Sequence, residues 1–164
     1  MNMKLLTPEV ESIRKKSFEY LSPDPISLSM VRYYCLAIEE TNQIYFDEVY
    51  AVESGYKTVP VPPTFVTETN SFMEGPPGED GAIAHEWNIH IPNTRYIRGG
   101  NKYEFKEPFY VGDTIKSVYT IDNIIEKISS KGKALLFITN LIEYFDQENN
   151  LKCKNYETVI YQEL

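Results

Sequence analysis

After Trp87 the apolar residues stop recurring every three or four positions and begin to alternate with polar ones, which restricts the chain to helices first and a sheet afterwards. Four stretches rich in β-branched and aromatic residues follow, predicting strands over about Arg95 to Lys106, Thr114 to Lys127, Lys133 to Phe145 and Leu151 to Gln162. The gaps between them, Pro108 to Asp113, Ser129 to Gly132 and Asp146 to Asn150, hold turn-forming residues and have hairpin length. Within Leu135 to Tyr144 apolar residues occupy both parities, predicting a strand covered on two sides. Lys152, Lys154 and Glu157 predict a partly solvated neighbour. The fold class is therefore α+β, with a long antiparallel sheet wrapped on one helix.

The first half supplies the helices. Thr7-Pro8-Glu9 combines a capping side chain, a proline at the first helical position and an acid in the first turn, so a short opening helix starts there. Ser22-Pro23-Asp24-Pro25 forbids regular structure. Val31, Tyr34, Cys35 and Ile38 then recur at helical spacing behind a Ser27 or Ser29 cap, predicting a helix to about Glu40. A further short helix is expected over Phe46 to Ser54, stopped by Gly55. Pro60-Val61-Pro62-Pro63 forms an extended approach to a core helix that carries Phe65, Val66, Thr69, Phe72 and Met73 on one face and ends at Gly75-Pro76-Pro77-Gly78. No composition shift divides the 164 residues, so a single domain over 1–164 is expected, with 1–26 as a helical and extended lead-in. Thirteen Tyr and eight Phe give it ample core material.

Charge narrows the function classes. A formal net charge of −8 argues against a nucleic-acid surface, because phosphate binding needs clustered Lys and Arg. No run approaches the roughly eighteen apolar residues of a membrane span, and the opening MNMKLLTPEVESIRKK has no hydrophobic core before a cleavage site, so a cytoplasmic protein is expected. Cys35 and Cys153 are isolated and read as packing residues. His85 and His90 are the two histidines. Their spacing suits no helical metal pair, so no metal is expected, and surface or turn placement is favoured over entry into a partner's active site.

The run from Tyr33 through Ala37, Glu40, Asn42, Ile44, Tyr45 and Asp47 to Ala51 resembles the signature of the MaoC-like dehydratase family, which includes (R)-specific enoyl-CoA hydratases. Pro62-Pro63-Thr64-Phe65 resembles the start of the central helix in the N-terminal type of that family. Arg98-Gly99-Gly100-Asn101-Lys102-Tyr103-Glu104-Phe105 and Glu107-Pro108 through Gly112-Asp113-Thr114 resemble its glycine-rich strand start and its proline to glycine-aspartate turn. The resemblance covers about Ser27 to the C-terminus. It implies a hotdog fold, an acyl-CoA or acyl-carrier-protein thioester as substrate with no further cofactor, and a homodimer or a heterodimer with a second hotdog chain.

Two departures from the pattern carry the functional reading. Where the family holds the aspartate and histidine that activate water and move a proton, this chain has Glu40 and Tyr45, and Gln43 replaces a proline. A glutamate keeps the carboxylate but shifts it by about an ångström, a scale to which acid–base geometry is sensitive. A tyrosine, with an ordinary pKa near 10, cannot exchange protons at neutral pH as imidazole does. The resemblance therefore implies the substrate-binding, catalytically degenerate half of a paired hotdog hydratase or dehydratase acting on a fatty or small acyl thioester. Alternatives are a self-sufficient hydratase using Glu40, an acyl-CoA thioesterase and a non-enzymatic acyl-thioester binder.

Beside Glu40 and Tyr45, the resemblance assigns substrate contacts to Asn42, Thr64, Phe65, Arg98 and Gly99. Asn42 reads equally as a turn residue, and Asp47 more simply as a helix cap than as a catalytic group. The first turn near Thr64 and Phe65 has backbone donors that could meet a thioester carbonyl, although Phe65 is foremost a core residue. Arg95, Arg98, Lys102 and Lys106 could meet coenzyme A phosphates, and read slightly better as the charged edge of a strand.

Overall fold

The computed structural model describes residues 4–66, 87 and 89–164. The local signals place the helices where expected. Thr7 accepts the Val10 amide (3.3 Å) and starts α1, Pro8–Ser12, which continues as a 3-10 turn, Ile13–Lys15. Ser27 accepts the Met30 amide (3.2 Å) and starts α2, Leu28–Ala37. This helix ends three residues before the expected Glu40, because Glu39 adopts φ +57° and turns the chain out of the helix. The third helix, α3, is Glu48–Glu53, shorter than Phe46 to Ser54. Residues Gln43–Tyr45 form a separate 3-10 turn, and Gly55 at φ +93° follows the helix end. The core helix expected from Pro63 begins as a 3-10 turn over 63–66, and its remaining positions, Thr69, Phe72 and Met73 among them, lie outside the described residues.

Four strands match expectation to within about two residues: β2, Thr94–Phe105; β3, Lys116–Ile128; β4, Ala134–Phe145; β5, Leu151–Glu163. A fifth, β1, Phe18–Leu21, was not legible. Four residues show no periodicity, and they become a strand because β3 offers partners, Phe18 opposite Tyr119 and Leu21 opposite Lys116. All pairs are antiparallel, in the order β1-β3-β4-β5-β2.

That order corrects the expectation that the Pro108 to Asp113 gap is a hairpin turn. Strand β2 pairs with β5, not β3, so this segment crosses the sheet. It is held by the extended segment before the core helix: the Val61 amide donates to the Phe109 carbonyl (2.8 Å) and the Val111 amide to the Val59 carbonyl (3.1 Å).

Strand β4 lies in the middle of the sheet and buries every second residue. Ala134, Leu136, Ile138, Asn140, Ile142 and Tyr144 face a core shared with Val10, Ile13, Val31, Cys35, Phe65, Trp87 and Tyr119. Each fully buried aliphatic side chain there stabilises by about 1.5–3 kcal/mol. The opposite face of β4 is half-buried rather than enclosed. Lys127 lies over the Phe137 ring and Lys116 over that of Phe145, so lysine stems do the covering. On β5 the expected solvation of Lys152 is overturned. Its side chain is 8% exposed, and its ammonium sits 2.9 Å from Glu107 and 3.2 Å from Asp146.

Gly99 falls at the register shift between Arg98 and Gly100 in the pairing of β2 with β5. A Cβ there would stand 2.9 Å from the Thr158 carbonyl oxygen, which is backbone and cannot swing aside. Gly99→Ala is therefore expected to destabilise by about 1–3 kcal/mol, measured by urea unfolding. A neutral result would show that the two strands can separate without cost.

Candidate active-site cavity

The loop carrying the altered acid–base positions is built by its own polar side chains. With Glu39 left-handed, the Glu39 and Glu40 amides turn back to the Leu36 (3.3 Å) and Cys35 (2.9 Å) carbonyls, closing α2. Glu40 Oε1 then accepts the Thr41 and Asn42 amides, both at 2.8 Å. Asn42 Oδ1 accepts the Ile44 amide (3.2 Å) and caps the turn Gln43–Tyr45, and Asp47 Oδ1 accepts the Tyr50 amide (3.1 Å) and caps α3.

Tyr45 is half-buried. Burial pushes its phenol pKa up, and the neighbouring charge of Glu40, then Tyr56 and Cys35, push the same way. The group is a neutral hydrogen-bond donor across the physiological range and not a base. It lines a cavity of about 240 Å³ that opens between this loop, the Pro60–Pro63 segment, Val66 and the ends of β2 and β5 at Phe105 and Cys153. Burial pushes the Cys153 thiol up to about 11, so the wall it forms is uncharged. The lining is predominantly apolar, as an acyl chain requires.

The other candidates are placed as follows. Thr64 Oγ1 and the Tyr34 hydroxyl lie 2.7 Å apart, and Tyr34 meets the Phe65 ring edge to face at 5.3 Å. Phe65 is buried and its amide donates to the Pro62 carbonyl (2.9 Å), so that donor is already engaged within the turn. The four basic residues do not converge. Arg95 bonds Gln162, and Lys102 bonds Glu104 (2.9 Å). Arg98 alternates to the other face of β2, 3.8 Å from Glu157, and Lys106 lies beyond the strand beside the cavity. His90 is exposed; His85 lies outside the described residues. Among the described residues no group of His, Cys, Asp and Glu could hold a metal, and no helix is long and apolar enough to cross a membrane.

Sequence reasoning missed Tyr56, Phe105 and Cys153 as cavity walls. Phe105 and Cys153 are opposite one another on β2 and β5, so strand alternation continued to the last residue would have paired them. No sequence signal placed Tyr56.

A family model described as the FAS1-like dehydratase domain region matches residues 17–153. A UPF0336 protein from Thermobifida fusca is 27% identical over 109 residues, covering 66% of this chain and 68% of its own length. A probable enoyl-CoA hydratase alpha subunit from Thermomonospora curvata is 27% identical over 140 residues, covering 78% of this chain, which spans 42% of that protein. Among solved structures, the ChsH1–ChsH2 complex from Mycobacterium tuberculosis superposes with a TM-score of 0.71 at 14% identity, over 93% of this chain and 88% of the other. A MaoC-like dehydratase from Rhodospirillum rubrum gives 0.64 at 14% identity, over 91% and 92%. These similarities establish the hotdog fold expected from the sequence.

Proposed function

Because this chain belongs to the family described as the FAS1-like dehydratase domain region and shares the fold of a MaoC-like dehydratase, we propose that it is the substrate-binding half of a paired enoyl-thioester hydratase or 3-hydroxyacyl-thioester dehydratase. A second hotdog chain with an intact aspartate–histidine pair supplies the acid–base groups. Hydration adds a hydroxyl to C3 of the enoyl thioester and a proton to C2, and dehydration reverses both, so the reaction needs one group to take a proton from water and one to deliver a proton to carbon. The observation that carries the reading is the state of the two altered positions. The Glu40 carboxylate holds two backbone amides of its own turn, and Tyr45 is a neutral phenol.

What remains in this chain suits binding and orientation. The apolar cavity receives the acyl chain of a coenzyme A or carrier-protein thioester, no further cofactor takes part, and the Tyr45 hydroxyl donates toward the bound oxygen atoms. Asn42 caps the turn that carries Tyr45 to the cavity, Thr64 and Phe65 lie in the turn between the lining residues Pro63 and Val66, and Arg98 and Gly99 stand on β2 outside that lining, with Arg98 facing Glu157.

Two surfaces fit the partner. Strand β2 is the last in the sheet, and its outer edge carries no strand among the described residues. Helices α2 and α3 turn Tyr33 (74% exposed), Leu36 (67%) and Val49 (67%) outward, apolar area that a second chain would cover. The ChsH1–ChsH2 complex, one of the structural neighbours, supports a heterologous partner. Co-expression with a hotdog chain that carries the intact pair is expected to give a stoichiometric complex on size exclusion, weakened at least tenfold by Leu36→Glu. A chain that remains unpaired and hydrates crotonyl-CoA unaided would contradict the proposal.

A further inference from the structure

The concave face of the sheet carries several polar side chains, most of them satisfied. Asn140 accepts the Trp87 indole N–H at 2.8 Å and approaches Glu157 at 3.4 Å, and Glu157 faces Arg98. Two atoms differ. Among the described residues, the Tyr144 hydroxyl and Asn155 Oδ1 are the buried side-chain oxygens or nitrogens with no hydrogen-bond partner. Their residues are 0% and 3% exposed. A buried polar atom left unpaired costs about 1–3 kcal/mol, so a pair of them beside each other marks a place where something else completes the bonding.

Their position says what that is. Tyr144 is the direct cross-strand partner of Cys153, which walls the cavity, and Asn155 is two residues beyond Cys153 on the same face of β5. Both side chains therefore stand on the cavity's face of the sheet, behind the Cys153 wall and not in the lining itself. Burial pushes the Tyr144 phenol well above its ordinary range, so it is a neutral donor. The Asn155 amide comes near enough to temper that shift without reaching hydrogen-bond geometry with the hydroxyl. The site thus presents one O–H donor and one carbonyl acceptor. A carbonyl ligand would leave Asn155 Oδ1 unpaired, and a carboxylate would face both that oxygen and Glu157, which follows two residues on along the same face. An alcohol satisfies both, accepting from Tyr144 and donating to Asn155.

The geometry points to a second, polar subsite at the inner end of the acyl cavity, formed by Tyr144 and Asn155, that selects acyl thioesters bearing a hydroxyl remote from the thioester. This rests on the reading of the cavity as an acyl site. The test measures, by calorimetry on the full chain, binding of butanoyl-, hexanoyl- and octanoyl-CoA against their 4-hydroxy, 6-hydroxy and 8-hydroxy counterparts. At one chain length the hydroxylated thioester is expected to bind about tenfold tighter, the effect of two net hydrogen bonds. Tyr144→Phe is expected to bring the two ligands to equal affinity, with an unfolding temperature at or above that of the unaltered chain. No preference at any length would mean that the pair hydrates an internal water and would overturn the subsite while leaving the acyl site standing. A preference that survives Tyr144→Phe, or a fall of several degrees in its unfolding temperature, would overturn it as well. Binding of none of the six would overturn both readings.

Discussion

Replacing Lys152 by alanine is expected to lower the unfolding free energy by about 3 kcal/mol, because removing one partner of a buried ion pair leaves the other charge without compensation. The Lys152 side chain is 8% exposed and that of Asp146 7%, whereas Glu107 at 66% is open to water. Asp146 also organises the β4–β5 turn, accepting the Glu148 and Asn150 amides, both at 2.9 Å, and the Asn150 side chain. Burial acts to raise its carboxyl pKa, but the hydrogen bonds from Asn150, Lys152 and the Glu148 amide outweigh burial and hold it below the ordinary 3.8. For Lys152, burial acts downward and is outweighed by Glu107 and Asp146, so its pKa lies above 10.5.

The pH dependence follows from those signs. A depressed carboxylate stabilises the fold above its unfolded pKa, and that contribution is lost as pH falls below about 3.8 through the lower folded value. The raised ammonium stabilises below its unfolded pKa, and that contribution is lost as pH climbs past 10.5. Urea unfolding in a pH series from neutral into acid should therefore show the Lys152→Ala penalty shrinking as pH falls below 3.8. A cost below about 1 kcal/mol at neutral pH would mean that the pair behaves as an exposed one.

The second large effect is on rate. The chain alone is expected to hydrate crotonyl-CoA more slowly than its complex with an intact hotdog partner by about 10²–10⁴-fold, the usual contribution of a positioned acid–base group. Tyr45 cannot supply that contribution near neutrality, because its phenol is raised further from the working pH, first by burial and then by Glu40. Steady-state absorbance assays of the chain with and without the partner measure the ratio, and equal rates would return the acid–base role to this chain.

Periodicity made most of the fold legible. The four long strands follow from alternation and turn residues, and the caps at Thr7, Ser27 and Asp47 from local chemistry that needs no tertiary partner. What escaped depends on long-range pairing. Strand β1 exists because β3 has a free edge, and the crossing of 106–115 exists because Val59 and Val61 hold it. Lys152 read as solvated because the acids that bury it are six residues before it and forty-five before it in the chain. At the site, the loop with Glu40 and Tyr45 was legible from its resemblance, but the engagement of Glu40 with its own amides is a matter of distance, and no pattern encodes it. Tyr144 and Asn155 sit in ordinary strand positions, and only burial and an oxygen with no hydrogen-bond partner among the described residues distinguish them.

The claim at the centre is that Glu40 shapes a turn and the partner chain performs the proton transfers. Glu40→Gln keeps an oxygen that can accept the Thr41 and Asn42 amides while removing the charge a base requires. The direct measurement is kcat/KM for crotonyl-CoA hydration by the two-chain complex, assembled with the unaltered chain and with Glu40→Gln. Values within about twofold are predicted; a fall of a hundredfold or more would show that Glu40 is the acid–base group and that this chain is a catalyst in its own right.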